Sequence, residues 1–343
     1  GTGHGYQNEA VGYLPTRQAF AEFINRYGLN FRAEETVFSY GSLPAFDGIL
    51  QLAQILAKRD GVPVHLINPE PTFPVVAAQA IRRDIPVISI STSPKTGYCI
   101  TAESLCTAFE NTASNARDVL YIVPMSNPTS SINDPEVLAQ AIAEFHRLRP
   151  KGMIIVDLAY LEMIPKAHAK DILSRFTKAG VLDQCLFVTS LSKLYGDPGG
   201  RAGAIHTNNP LFFQELKTQW QTIYASMASA VENEALAKLK FVTKKARQRL
   251  FKLFNTRQKA VLSMLNKIDT DRASKGLEPL MDIGSVHSDI PLYLFVKLNE
   301  GFSWLDLFRE TGFVVVPGEV FGAKPEDRMV RIAVGTELLE ERD

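Results

Sequence analysis

The sequence predicts an α/β protein with a mostly parallel sheet sandwiched between helices, followed by a smaller α+β domain. Short β-branched runs alternate with amphipathic helical stretches through the first 207 residues, as in doubly covered parallel sheets. Most of the strand candidates contain a continuous apolar run rather than a clear alternation, which is typical of strands buried on both faces. A chain of 343 residues is also long enough for two domains.

The strand candidates of the larger domain are the runs 62–68, 86–91, 119–124, 153–157 and 186–190. A helix is predicted over 44–58, where the apolar residues form one stripe. Another is predicted over 135–147, with Asp134 as its N-cap. Residues 202–207 follow Arg201 too closely for a helical crossover, so we expect an antiparallel strand there.

The second half changes to long helices from about 211 to 268. Three short strand candidates follow, at 291–298, 313–317 and 329–334. The basic run 238–249 has no aromatic platform beside it, so it predicts a solvated helix face rather than a nucleic-acid site. We predict a large domain over 1–260 and a small C-terminal domain over 261–343.

Composition argues against several classes of function. Lys plus Arg and Asp plus Glu number 37 each, so no net field favours nucleic acid or an anionic membrane. No apolar run approaches the roughly 18 residues of a membrane span, and we expect a cytoplasmic protein. The three cysteines lack C-x-x-C spacing and no two of the six histidines are four residues apart, which predicts reduced thiols and no metal site.

The chemistry concentrates around Lys193. It stands in Ser190-Leu191-Ser192-Lys193, at the end of an apolar run, with Arg201 eight residues later. Asp157 ends another apolar run 36 residues upstream. A lysine that forms a Schiff base must be held against a carbonyl, and a phosphate-bearing cofactor needs hydroxyl, backbone and arginine donors nearby.

With Val-Asp-Leu-Ala-Tyr at 156–160 and Ser-Asn-Pro-Thr at 126–129, this arrangement resembles the fold type I, class I/II aminotransferases that use pyridoxal 5′-phosphate (PLP). The match runs in order from about Tyr6 to Arg331. The resemblance implies the aspartate aminotransferase-like PLP-dependent transferase fold and a homodimer with shared active sites. It also implies that the family's N-terminal arm is absent from this chain.

The resemblance assigns a role to each polar residue of the pattern. Lys193 would be the covalent anchor and general base, and Asp157 would pair with the pyridine nitrogen and favour its protonated form. Tyr160 and Asn127 would donate hydrogen bonds to the phenolic oxygen of the ring. Taken singly, each residue also fits an ordinary role: a solvent lysine, a strand-end aspartate or a turn.

The cofactor phosphate would be held at the start of the helix predicted over 44–58. A glycine, a hydroxyl and free backbone N–H groups at a helix N-terminus form an anion site. The phosphate donors that the resemblance implies are Gly41, Ser42, Leu43, Ser190, Arg201 and, from a neighbouring subunit, Tyr6.

Two further residues would contact the ring and the substrate. Phe73 matches the aromatic that lies over the pyridine ring. Arg331 would bind the substrate α-carboxylate, because an arginine inside an apolar strand is costly unless it meets an anion, and Asn127 would be a second substrate-binding residue. The chain departs from the family pattern at Ser130, where relatives commonly have glycine, and at Gly200, before the arginine.

The function predicted is transfer of an amino group from an L-amino acid to a 2-oxo acid through a Schiff base on Lys193. A lyase, decarboxylase or synthase of the same fold keeps the cofactor and breaks another bond. A PLP-fold regulatory module without turnover is the third reading, although it need not keep Lys193, Asp157 and Arg201 together. The donor and acceptor stay open.

Overall fold

The computed structural model describes residues 9–110 and 112–334. A seven-stranded sheet forms its larger part, with the order β1-β7-β6-β5-β4-β2-β3. Its strands are β1 (Thr36–Ser39), β2 (Leu66–Glu70), β3 (Val87–Ser91), β4 (Val119–Ile122), β5 (Met153–Asp157), β6 (Cys185–Ser190) and β7 (Gly203–His206). Within this sheet β7 runs against both neighbours, and the remaining neighbours pair in parallel. The predicted mostly parallel sheet and its antiparallel strand are confirmed.

Helices cover this sheet and connect it to a second one. They are α1 (Leu14–Asn25), α2 (Ser42–Asp60), α3 (Val75–Arg82), α4 (Ala102–Phe109), α5 (Pro135–Leu148), α6 (Lys166–Lys178), α7 (Leu191–Leu194), α8 (Pro210–Tyr224), α9 (Ser229–Phe241), α10 (Lys244–Ser274) and α11 (Trp304–Thr311). Asp134 caps α5 as predicted, since its carboxylate accepts from the N–H groups of Glu136 and Val137 at 2.9 and 3.0 Å.

The second sheet is antiparallel, with the order β10-β11-β9-β8. Its strands are β8 (Met281–Asp282), β9 (Tyr293–Leu298), β10 (Val315–Pro317) and β11 (Met329–Ala333). They enclose a separate apolar core that includes Leu265 of α10, Leu307 of α11 and Ile332 of β11. A smaller α+β unit at the C-terminal end is therefore present. The domain limits 1–260 and 261–343 stay predictions.

Several element limits differ from those predicted. Strand β1 was not predicted, because it has only four residues and polar ones at both ends. Within the predicted run 62–68, the strand begins only at Leu66. Val62 instead donates its N–H to Ala57 O at 3.0 Å, a hydrogen bond that belongs to the C-terminal end of α2. Helix α2 begins at Ser42 rather than 44. Among the described residues, no helix combines the length and apolarity that crossing a membrane requires.

Candidate active site

The predicted site residues follow the ends of three neighbouring parallel strands. Asn127 comes after β4, Asp157 ends β5, and Lys193 lies in α7 directly after β6. Asp157 stands in register with Val188, so the chain leaves β6 for Lys193 at the same edge of the sheet. The carboxyl edge of an open α/β sheet is where such proteins bind ligands. Lys193 is half-buried, and its amine makes no hydrogen bond or ion pair with any described residue.

The Asp157 carboxylate is buried, with 4% of the residue exposed. Its Oδ2 accepts a hydrogen bond from the Tyr121 hydroxyl at 3.0 Å, and Oδ1 accepts from the Ala159 N–H at 3.0 Å. Burial raises the pKa of Asp157 to about 6, against these two hydrogen bonds, which lower it. No described cation forms an ion pair with it. A buried carboxylate without a cation is suited to a ligand that brings its own positive charge.

The raised pKa makes stability depend on pH. Because the folded-state pKa exceeds the value of about 3.9 in the unfolded chain, Asp157 stabilises the fold most at acid pH. That contribution is lost as pH rises through about 6. In the cofactor-free protein, we therefore compare the free energy of unfolding of Asp157→Asn with that of wild type. The difference should change in favour of the variant by on the order of 2 kcal/mol as pH rises from 4 to 7, because only wild type loses the contribution of Asp157. Urea unfolding across this range measures it. The exposed Asp271→Asn is the control, and an equal pH profile for both variants would contradict the expectation.

Arg331 lies between two aromatic rings beside Asn127. Its guanidinium carbon is 4.7 Å from the centre of the Tyr293 ring and 4.6 Å from that of Phe321. Its Nη1 donates to Asn127 Oδ1 at 3.0 Å, whereas its Nε is buried without a hydrogen-bond partner. Burial lowers the pKa of Arg331, although arginine remains charged. The stacked rings fix the guanidinium plane, and the unpaired donor is available to an anion.

Tyr160 lies close to both Arg331 and Asp157. It is buried, and its hydroxyl is 3.4 Å from that of Tyr293. Burial raises the pKa of Tyr160, so it stays protonated and able to donate. The Asn127 side-chain amide N–H groups make no hydrogen bond with a described residue and are likewise free to donate. Tyr160 therefore lies near both Asp157 and Arg331, and Arg331 contacts Asn127.

Three of the predicted phosphate donors, Gly41, Ser190 and Arg201, lie around the carboxyl-edge neighbours of β7. Ser39 of β1 and Ser190 of β6 both stand opposite Gly203 in the antiparallel strand between them. The sheet therefore brings the start of α2 close to Ser190. Arg201 Nη2 donates to Tyr40 O at 3.4 Å, one residue before Gly41. Ser42 and Leu43 form the first turn of α2, whose N–H groups no side chain caps.

Gly41 permits this close approach of Arg201 to the start of α2. A Cβ there would lie 2.6 Å from Arg201 Nη2, and its φ of +85° disfavours other residues. Gly61, at the other end of α2, has a φ of +68° with open space around it. We expect Gly41→Ala to weaken PLP binding by about tenfold or more, because it displaces the arginine. Gly61→Ala should cost similar backbone strain and leave PLP affinity unchanged. Fluorescence titration with PLP measures the affinity of both variants. Equal PLP affinities of Gly41→Ala and Gly61→Ala would argue against a phosphate site at the start of α2.

The remaining predicted residues are placed as follows. Phe73 follows β2 at the carboxyl edge and is half-buried against the large core. Its neighbour Thr72 donates its N–H to Phe321 O at 3.0 Å, which brings this segment close to one of the rings on Arg331. Tyr6 lies outside the described residues.

Sequence reasoning missed two tyrosines of the site. Tyr121 binds Asp157, and Tyr293 contacts both Tyr160 and Arg331. Tyr121 carried a usable signal, since a tyrosine within a fully apolar strand needs a partner for its hydroxyl. Tyr293 carried none, because its contact with Tyr160 spans 133 residues.

The sheet order and this site define an α/β protein of the aminotransferase fold. Among solved structures, the aromatic aminotransferase from Pyrococcus horikoshii OT3 superposes with a TM-score of 0.78. The superposition covers 97% of this chain and 83% of that one, at 20% identity. The sequence model of aminotransferase class I and II matches residues 2–341, and the chain belongs to this family.

Two curated relatives show the extent of the similarity. The LL-diaminopimelate aminotransferase of Maridesulfovibrio salexigens is 26% identical over 228 residues, covering 65% of this chain and 54% of the relative. The probable aminotransferase TAT1 of Arabidopsis thaliana is 24% identical over 351 residues, covering 98% and 72%. The chain thus matches little more than half of the first relative's length.

The family and its fold depend on PLP, and the residues at this edge fit that cofactor. Asp157 is a buried anion without a cation, and Gly41 leaves space against Arg201 that a Cβ would fill. PLP needs hydrogen-bond donors for its phosphate and an anion that accepts from its protonated ring nitrogen. Ser190, Arg201 and the first turn of α2 would hold the phosphate, Asp157 would pair with the ring nitrogen, and Lys193 would bind the carbonyl carbon.

Proposed function

We propose that the protein is a PLP-dependent aminotransferase that moves an amino group from an L-amino acid to a 2-oxo acid. The observation that carries the proposal is the placement of Lys193 and buried, cation-free Asp157 at one sheet edge, next to an uncapped helix start and Arg201. Family membership supports the reaction class. The whole site would be completed by a second copy of the chain, in a cytoplasmic homodimer.

PLP supplies an electron sink for the carbanion that forms at the substrate α-carbon. Asp157, as an anion, would keep a proton on the ring nitrogen, which strengthens that sink. Lys193 would be the anchor in the resting protein and, once released, the base that moves the α-proton. Tyr160 and Asn127 would donate to the ring oxygen.

Arg331 would bind and orient the substrate. Its Nε and its second terminal nitrogen can donate to the two oxygens of an α-carboxylate in a bidentate pair. The rings of Tyr293 and Phe321 hold the guanidinium in a fixed plane. An amino acid held there has its α-carbon oriented for the lysine, and this positioning contributes to the rate.

Absorbance spectra of the protein with PLP test the proposal. An amino acid donor should convert the visible band of the lysine-bound cofactor into the shorter-wavelength band of the amine form, and a 2-oxo acid should restore it. Loss of the visible band with products other than the matching 2-oxo acid would instead identify a lyase, decarboxylase or synthase. A bound cofactor that no amino acid converts would identify a regulatory module. Either outcome would contradict transamination.

A further inference from the structure

A second cleft, of about 470 Å³, lies where the end of α1 meets the starts of α6 and α10. Its volume is within the usual range for small-molecule sites. Four cations line it, namely Arg26, Lys166, Lys244 and Arg247, together with a single acid, Glu162. None of these five residues belongs to the site described above.

The charges around this cleft are not balanced within the described chain. Arg247 Nε pairs with Glu162 Oε2 at 2.9 Å, and Glu162 also accepts from the Tyr27 hydroxyl at 3.1 Å. Arg26, Lys166 and Lys244 make no ion pair with any described residue. Lys166 Nζ and Arg26 instead lie 5.9 Å from the ring centres of Tyr27 and Phe23. Three cations facing one cleft repel one another, and an anion between them would relieve the repulsion.

The two helix starts increase this positive potential. Helix α6 begins at Lys166 and α10 at Lys244, and neither has an acidic residue in its first turn. The N-terminus of a helix carries partial positive charge and favours acids, so lysine is unfavourable there. The residue before α6, Pro165, provides no side-chain cap. Thr243 caps the start of α10 by accepting from the Ala246 N–H at 3.2 Å. Both helices nevertheless begin with a lysine where they meet this cleft, which adds to its positive charge.

We propose that this cleft binds a small anion with two or more negative charges, either a phosphate compound or a polycarboxylate. Arg26, Lys166 and Lys244 bind its charges, and the backbone N–H groups at the start of α6 add donors. Tyr27, Ile164 and Phe251 provide apolar contact for its carbon skeleton. The site is independent of the predicted cofactor phosphate site, which lies at the start of α2.

Isothermal titration of the full chain, saturated with PLP, tests this proposal with inorganic pyrophosphate and with citrate. The double variant Lys166→Ala/Lys244→Ala removes two cations from the cleft. The matched control Lys170→Ala/Lys245→Ala removes the same charge from exposed positions of the same helices that do not line it. We expect wild type to bind at least one of the two anions, and the control variant to bind that anion with the same affinity as wild type. The variant Lys166→Ala/Lys244→Ala should bind the same anion at least about tenfold more weakly.

The two probes distinguish the source of the charge, since preference for pyrophosphate indicates a phosphate ligand and preference for citrate a polycarboxylate. Thermal unfolding of both variants confirms that they fold. Absence of binding by wild type, or equal losses in the two variants, would overturn the proposal. Neither result depends on turnover, so failure of the aminotransferase assignment would leave this test unaffected.

Discussion

Replacing Lys193 with alanine is expected to abolish transamination, with a loss in kcat of at least about 10⁴-fold, because one side chain is both anchor and base. PLP should still bind through Ser190, Arg201 and the start of α2, although without the visible band of the covalent link. The expected result is therefore a protein that has no turnover but still binds PLP without a covalent bond to it. Single-turnover kinetics and absorbance of the dialysed protein measure the two parts.

The exposed Lys259→Ala is the matched control and should retain both the band and the activity. Externally added methylamine offers a second check, since a small amine partly replaces the missing base in the proton transfer. Activity at the wild-type level in Lys193→Ala would remove the lysine from the mechanism. If circular dichroism shows that Lys193→Ala does not fold, the same measurements are made on Lys193→Arg, which keeps the positive charge and a long side chain.

The second large effect is expected at Arg331. Arg331→Lys should raise KM for the amino acid and lower kcat/KM by on the order of 10² to 10³, because an ammonium group cannot form the bidentate pair or stack between two rings. Removing the Nη1 contact also frees Asn127 Oδ1. Steady-state kinetics with a single donor amino acid measures the change.

Arg328→Lys is the control for Arg331, since it changes the residue directly before the same strand. PLP affinity should be unchanged in both variants, which separates substrate binding from cofactor binding. An Arg331→Lys protein with wild-type kcat/KM would show that the carboxylate binds elsewhere. A loss that falls entirely on PLP affinity would instead place the arginine at the cofactor.

The parts of the site predicted from sequence are those that follow buried strands. Asp157 ends one apolar run and Lys193 follows shortly after another. Because parallel strands end at one edge, the local pattern alone predicted that both residues lie at that edge. The resemblance to class I/II aminotransferases added the roles of Arg201 and Arg331. The large sheet was predicted for the same reason, because its central strands contain continuous apolar runs.

The parts that sequence did not predict depend on pairing between distant segments. Strand β1 has too few apolar residues to be recognised alone and is defined by its partner β7. The ring of Tyr293 meets Arg331 because β9 and β11 pair with a particular register. The cationic cleft joins Arg26, Lys166 and Lys244 from three helices. The spacing of residues within one segment does not predict contacts between segments that are distant in the sequence.

The pairing of β1 with β7 also fixes an order of folding. Thr36 and His206, which face each other across these strands, are 170 residues apart in the chain. On the ribosome, β1 would leave the exit tunnel long before its partner is synthesised, and closing so long a loop is slow. Gly41 and Arg201 can therefore come together only after residue 201 has been synthesised. A ligand held between them stabilises only those states in which this pairing has formed.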